Sequence, residues 1–266
     1  MDPSRPSLPP WLDLSGASAV ITGGGTHLGL AMATALGDLG AAVHLVGRRE
    51  QVVSEAAASL RDADIEAHVH AADAADPAAV EAVLDRIDER HGRLDVMVCN
   101  AGGSRGGDQV PDIDADDLAE TLRMNVGTSM VCAQAAARRM MPAGRGAIIL
   151  VGSIHGHLGS DPGRYAPGFR RSPASYHASK GAIVNLTRAL ATEVGGHGIT
   201  VNCISPGQIP KARMDDDTRA RQREGVPLGR LGVPEDLRGA VALFAAPAGS
   251  WITGQDLVVD GGWSAW

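Results

Sequence analysis

The stretch "SAVITGGGTHLGLAMATALGDLG", residues 18–40, changes its periodicity in the middle. Residues 18–25 read as an apolar strand that stops in glycines. From Thr26 to Leu39 the spacing is helical, and Gly40 closes the helix. Glycines placed between a strand and its helix let the backbone approach a pyrophosphate. The helix N-terminus adds N–H donors and positive potential there. A plain tight turn would give the same letters, but the position after the first strand favours binding.

The alternation continues outward from this unit. Strands are predicted at 41–49, 65–73, 93–103, 146–153, 198–205 and 255–262. Helices are predicted at about 50–60, from Pro77 to about Arg90, at about 114–142, from Ser175 to Val194 and from Pro234 to Ala245. Strand–helix alternation with near-continuous apolar strands predicts an α/β fold, a doubly wound parallel sheet with helices on both faces. The chain reads as a single domain over 12–266 after a flexible N-terminal extension, 1–11. Ligands of such sheets bind beyond the carboxyl ends of the strands, so the informative residues should follow strands.

Composition narrows the class. Only 3% of the 266 residues are aromatic, so the core must be built from Ala, Val, Leu and Ile. A net charge of −7 argues against nucleic-acid affinity. Cys99, Cys132 and Cys203 form no CxxC pair and read as reduced core residues. The polar, Pro-rich N-terminus is no signal peptide, and no apolar run is long enough to span a membrane. A cytoplasmic protein is expected.

The second strand ends in Gly47-Arg48-Arg49, where an acid would bond the ribose hydroxyls of NAD. Glycine and arginine leave room and charge for a 2′-phosphate, which favours NADP(H) over NAD(H). Asp73 ends the third strand and could meet the adenine edge, and "CNAGG" ends the fourth. At the chemical end, Tyr176 and Lys180 are one helical turn apart, on one face. A nearby ammonium favours phenolate and lowers the phenol pKa, so the tyrosine can act as acid or base. Ser153, ending the fifth strand, could hold a carbonyl oxygen. Asn125 is an awkward helix former and a candidate for a functional bond. Each also has a plain reading, as an amphipathic face, a strand cap or a buried amide.

Taken in order, the glycine loop, Asp73, "NAG" at 100–102, Asn125, Ser153, YxxxK and a Pro-Gly turn resemble the short-chain dehydrogenase/reductases. The tail from Val226 to Gly262 strengthens the likeness, which covers about 12–266. It implies a Rossmann-type fold, a homotetramer or homodimer, a small-molecule substrate and reversible hydride transfer between ketone and alcohol. The catalytic four would be Asn125, Ser153, Tyr176 and Lys180. Ser153 would position the substrate oxygen and Tyr176 would move the proton. Lys180 would hold the nicotinamide ribose and tune Tyr176, while Asn125 would support a water linking Lys180 to solvent. The cofactor would lie along Gly23, Gly25, Thr26, His27, Leu28 and Gly29, then Arg48, Arg49, Asp73 and Ala74. Asn100, Ala101 and Gly102 would line it further on, and Pro206, Gly207, Gln208 and Ile209 would meet the nicotinamide beside Tyr176 and Lys180.

The sequence departs from the pattern at named places. His27 replaces the middle glycine of the phosphate loop, so its side chain must point away from the pyrophosphate or bond it. Cys99 replaces an Asn where a small buried side chain suffices. Lys211 stands where a carboxamide-binding Thr is usual, within an expected lid at about 208–228. Between Ser153 and Tyr176 lie 22 residues, where the family spends about a dozen; an enlarged loop at 154–174 must border substrate. His155, His157 and Tyr165 of this loop, with Gln208 beyond it, are the candidate substrate contacts, and Arg164, Arg170 and Arg171 could meet an anion. This loop and the "DGGWSAW" ending resemble the gluconate- or sugar-related members of the family. No metal is expected there, because His155, His157 and Asp161 lack a third strong ligand. The leading expectation is an NADP(H)-dependent oxidoreductase of a sugar-, polyol- or cyclitol-like substrate. A 3-oxoacyl-thioester reductase is the alternative enzyme. A catalytically silent dinucleotide-binding regulator is the alternative of another class.

Overall fold

A computed structural model describes residues 8–106, 109–211 and 214–266. Part of the N-terminal extension, residues 1–7, and residues 212–213 of the expected lid therefore lie outside the described residues. Seven strands form one parallel sheet: β1 (Ser18–Thr22), β2 (Ala42–Gly47), β3 (Ala67–Ala71), β4 (Val96–Cys99), β5 (Gly146–Val151), β6 (Ile199–Pro206) and β7 (Asp256–Val259). Their order is β3-β2-β1-β4-β5-β6-β7. Chain direction across the sheet reverses between β1 and β4, which opens a crevice beyond their carboxyl ends.

Helices cover both faces, as burial of the strands on both sides requires. On one face α1 (His27–Asp38), α2 (Glu50–Arg61) and α8 (Arg238–Ala245) place Leu36, Ala57, Leu60 and Phe244 over Ile21, Val43 and Leu45. On the other, α3 (Pro77–His91), α5 (Thr128–Ala143) and α6 (Ala174–Val194) place Leu84, Met140, Ile183 and Leu190 over Val20, Met97 and Ile148. Two further helices are α4 (Ala115–Leu122) and α7 (Asp216–Glu224). All three cysteines are free and buried. Among the described residues, no helix is long and apolar enough to cross a membrane.

The helical stretch expected at 114–142 is not one regular helix. Residues Arg123–Gly127 form a π-turn between α4 and α5. Such turns widen the helix by one residue and free a carbonyl. Asn125 takes up the slack: its Nδ2 donates to Thr121 O at 2.8 Å and to Gly103 O at 2.6 Å. Its Oδ1 accepts from Gly103 N at 3.2 Å. The amide thus joins the helix break to the chain leaving β4.

Charge locks the neighbouring pair of helices. Arg139 of α5 reaches Glu81, Asp85 and Asp88, which lie along one side of α3. A half-buried guanidinium shared by three carboxylates is a network rather than an isolated surface pair. Arg139→Ala should cost about 1–2 kcal/mol. The check is urea unfolding, with the midpoint lowered and the m-value unchanged.

Candidate active site

The proton-handling residues meet where β5 leaves the sheet. Ser153 is extended (φ −173°, ψ 155°), and its Oγ accepts from His155 N at 3.1 Å, starting a 3-10 turn at Ile154–Gly156. Tyr176 and Lys180 lie a turn apart on α6, as the spacing requires. The Ser153 hydroxyl lies near enough to the Tyr176 phenol to favour its ionised form. Lys180 is only 7% exposed, and its Nζ donates to Val151 O at 2.8 Å, at the end of β5. That bond leaves the ammonium 5.6 Å from the centre of the Tyr176 ring.

Electrostatics here correct the expectation for the phenol. Burial raises the Tyr176 pKa, and the Ser153 hydroxyl pulls the other way without winning. Burial also brings Lys180 down to about 8. The ammonium lies over the ring instead of lowering the phenol outright.

A cavity of about 540 Å³ fills the crevice beyond β1, β2 and β4. Gly23, Gly25 and Thr26 line it, as do Arg48, Arg49, Asp73, Ala74, Ala101 and Gly102. Thr26 makes no side-chain cap and the first turn of α1 carries no acid, so its N-terminal N–H groups stay available to an anion. Two arginines, Arg48 and Arg49, supply cations at the far end. This donor set fits a dinucleotide, with phosphates at α1 and the adenosine end between β2 and β3.

Other expected residues support the cradle without lining this cavity. Asn100 Nδ2 donates to Thr22 O at 3.0 Å and to Gly23 O at 3.2 Å, bracing the glycine loop. Leu28 packs on the core beneath the loop. His27 adopts φ 51°, and its imidazole turns to the backbone carbonyl of Pro210. Pro206 ends β6, and Gly207 N donates to Val259 O at 2.9 Å. Gln208 and Ile209 line a separate cavity of about 150 Å³. Arg123, Met124 and Thr128 also line the large cavity. Sequence reasoning missed them, although their nearness to Asn125 is a usable signal.

The enlarged loop is fastened at several points. His157 bonds Asp256 on β7. Tyr165 is buried and stacked with Phe169, their rings 5.8 Å apart. Ala166 N donates to Thr218 Oγ1 of α7 at 3.0 Å, and Arg164 donates to the Arg221 carbonyl. Arg171 donates to Ser160 O within the loop. His155 differs: its ring stands edge-on to Tyr176, 6.1 Å away, and 4.5 Å from His177. Of the expected substrate contacts on the loop, only His155 is brought to the proton-handling residues. His155 and His157 have separate partners and do not converge with Asp161 on a common point.

With this geometry the comparisons agree. A family model described as enoyl-(acyl carrier protein) reductase matches residues 25–264. The chain belongs to the short-chain dehydrogenase/reductase family. It is 34% identical to sorbose reductase of Schizosaccharomyces pombe over 94% of this chain and 96% of that one. It is 33% identical to the 3-oxoacyl-[acyl-carrier-protein] reductase FabG of Rickettsia prowazekii, over 94% and 98% respectively. A crystal structure of a gluconate 5-dehydrogenase from Burkholderia cenocepacia, in complex with NADP and tartrate, superposes with a TM-score of 0.87. That protein is 31% identical, and the match covers 97% of this chain and 98% of it. The enzyme is accordingly an NAD(P)-dependent oxidoreductase of alcohol and carbonyl groups.

The half-buried His155 ring generates a pH prediction. Burial, aided by His177, holds its pKa down at about 4 from an ordinary 6.5. A depressed folded-state pKa contributes stability that is present above pH 6.5 and lost as pH falls toward 4. The loss should reach about 3 kcal/mol. His155→Gln should flatten the slope of unfolding free energy between these limits, measured by denaturant titration at each pH.

Proposed function

We propose that this enzyme interconverts a ketone and a secondary alcohol on a polar, sugar-, polyol- or cyclitol-like substrate, and that it prefers NADP(H). The observation carrying the substrate class is His155. Its Nδ1 is buried without a hydrogen-bond partner, beside the ring of Tyr176. A buried unpaired ring nitrogen costs stability, and a substrate hydroxyl would satisfy it. An acyl chain would leave it unpaired. Sorbose reductase and gluconate 5-dehydrogenase among the similar proteins support the same class.

In this reading Ser153 holds the substrate oxygen by its hydroxyl. Tyr176 donates its proton to that oxygen in reduction and takes it back in oxidation. Lys180, held by Val151 O, keeps the ammonium over the phenol ring and within reach of a ribose. Asn125 fixes the chain after β4 against the helix break. The bound nicotinamide supplies or accepts the hydride. Preference for NADP(H) rests on Arg48 and Arg49, which border the cavity where β2 ends without an acid. The tetramer or dimer implied by the family would cover the C-terminal edge, where Trp251 is 97% exposed.

The similarity to a 3-oxoacyl reductase keeps thioester reduction as the second reading. A silent regulator is disfavoured, since it would not need Ser153, Tyr176 and Lys180 assembled. A panel of polyols, sugar acids, simple ketones and 3-oxoacyl thioesters, followed by nicotinamide absorbance, decides among them. Polyol or sugar turnover is expected, and faster turnover of the thioester would sink the proposal. Tyr176→Phe should abolish turnover while cofactor binding, followed by fluorescence, persists. Tyr165→Phe should keep substantial activity. Arg48→Ala should lower kcat/KM about tenfold more with the phosphorylated cofactor than with NAD(H), the size of one charge-assisted bond; equal losses would remove the argument for NADP.

A further inference from the structure

A second cluster of ionisable side chains lies at the opposite edge of the sheet from β7. Its origin is the alternation in "AHVHA" of β3, which puts His68 and His70 on one face. The parallel register sets His44 of β2 directly beside His68. His91, the last residue of α3, closes over them. The His44 ring lies 4.7 Å from that of His68 and 4.9 Å from that of His91. One ligating atom from each of these three residues falls within 4.8 Å of the others.

The hydrogen bonding is divided in a particular way. His44 shares Nδ1 with His70 Nε2 at 3.0 Å, and His68 Nε2 bonds Glu66 at 2.8 Å. These outer partners orient the rings, and the Glu66 carboxylate, accepting from His68 Nε2–H, leaves His68 Nδ1 as a lone pair. The inward nitrogens are left over. Nε2 of His44, a residue 1% exposed, and Nε2 of His91 are both buried without partners. Three imidazoles that converge through lone-pair nitrogens do not satisfy one another, because no N–H lies between them to donate. A cation would serve all of them at once.

We propose that His44, His68 and His91 form a three-imidazole site for one borderline divalent metal ion of the zinc type. Imidazole nitrogen suits zinc, whose bonds to it run about 2.0–2.1 Å. Small side-chain rotations of the half-buried His68 and His91 draw the nitrogens to that radius. The fourth position faces an open cavity of about 530 Å³ rimmed by Arg61, Arg86, Glu89 and Arg90, and takes water or a small anion. Arg86 and Arg90 oppose a cation here; Glu66 and Glu89 offset them. The ion pins the β2–β3 edge to the end of α3. In strand order β1 and β4 separate this edge from β5, so the ion has no part in proton transfer and acts on stability.

The test uses the full chain without an affinity tag, stripped with EDTA and titrated with zinc sulfate by calorimetry. One zinc per chain is expected. At a hundredfold excess over Kd, the unfolding temperature should rise by roughly 5–10 °C. Cobalt(II) should give visible absorption bands of a low-coordinate nitrogen site. His68→Gln and His91→Gln should each weaken zinc binding at least tenfold, while turnover measured in EDTA stays at the wild-type level and reports an intact fold. His157→Gln should leave zinc binding unchanged. Absence of stoichiometric binding, or binding that survives His91→Gln, overturns the proposal.

Discussion

The close approach of α1 to the end of β1 is the constraint on which the cofactor cleft depends. A Cβ at Gly29 would sit 2.2 Å from the carbonyl oxygen of Gly23 and 2.7 Å from Asn100 Nδ2. Gly23 itself has φ 64°, and a Cβ there would meet the same amide at 2.9 Å. With no side chains in the way, the helix N-terminus drops against the crevice between β1 and β4. Asn100 can then bond both Thr22 O and Gly23 O. Thr22 Oγ1 in turn donates to Val98 O and accepts from the backbone N–H groups of Asn100 and Ala101. One set of short contacts therefore fixes the first and fourth strand ends together and leaves the N–H groups of α1 facing the cavity.

The chemical end relies on a different device. Lys180 is buried, and its ammonium donates to the carbonyl of Val151. A charge so placed is costly, which is why its pKa falls to about 8. The same burial opposes ionisation of Tyr176. Both groups are thus held away from their solution states, a condition common where protons are exchanged. Stability lost here is a reason for the firm anchoring nearby, in Asn125 across the π-turn and Ser153 at the end of β5.

What was legible in the sequence was whatever sits at an element boundary. The seven strands, Ser153 at the end of β5 and the Tyr176–Lys180 pair could be placed because strand ends and helical spacing fix them locally. The π-turn could not be read: Asn125 stands out as a poor helix former, but its tie to Gly103 lies 22 residues away. His157 looked available for substrate because its partner, Asp256, lies 99 residues on. Arg164 and Arg171 looked like anion ligands because the carbonyls they serve are invisible in a string of letters. His44, His68 and His91 went unread for the same reason: register brings two together and helix length brings the third.

The enlarged loop and His27 act on the same segment from two sides. The loop carries Tyr165 into a buried stack and ties Ala166 to Thr218 at the start of α7. His27, from the phosphate loop, turns to Pro210 just before that helix. A glycine at 27 would leave the phosphate loop without this side-chain link. The substituted histidine takes a left-handed conformation, which costs an ordinary residue stability. It gains a contact with the backbone of Pro210. The 22 residues before Tyr176 secure the far side of that segment while presenting His155 to the phenol. The lengthened loop thus spends most of its residues on fastening to α7 and to its own core, and brings one, His155, to the Tyr176 ring.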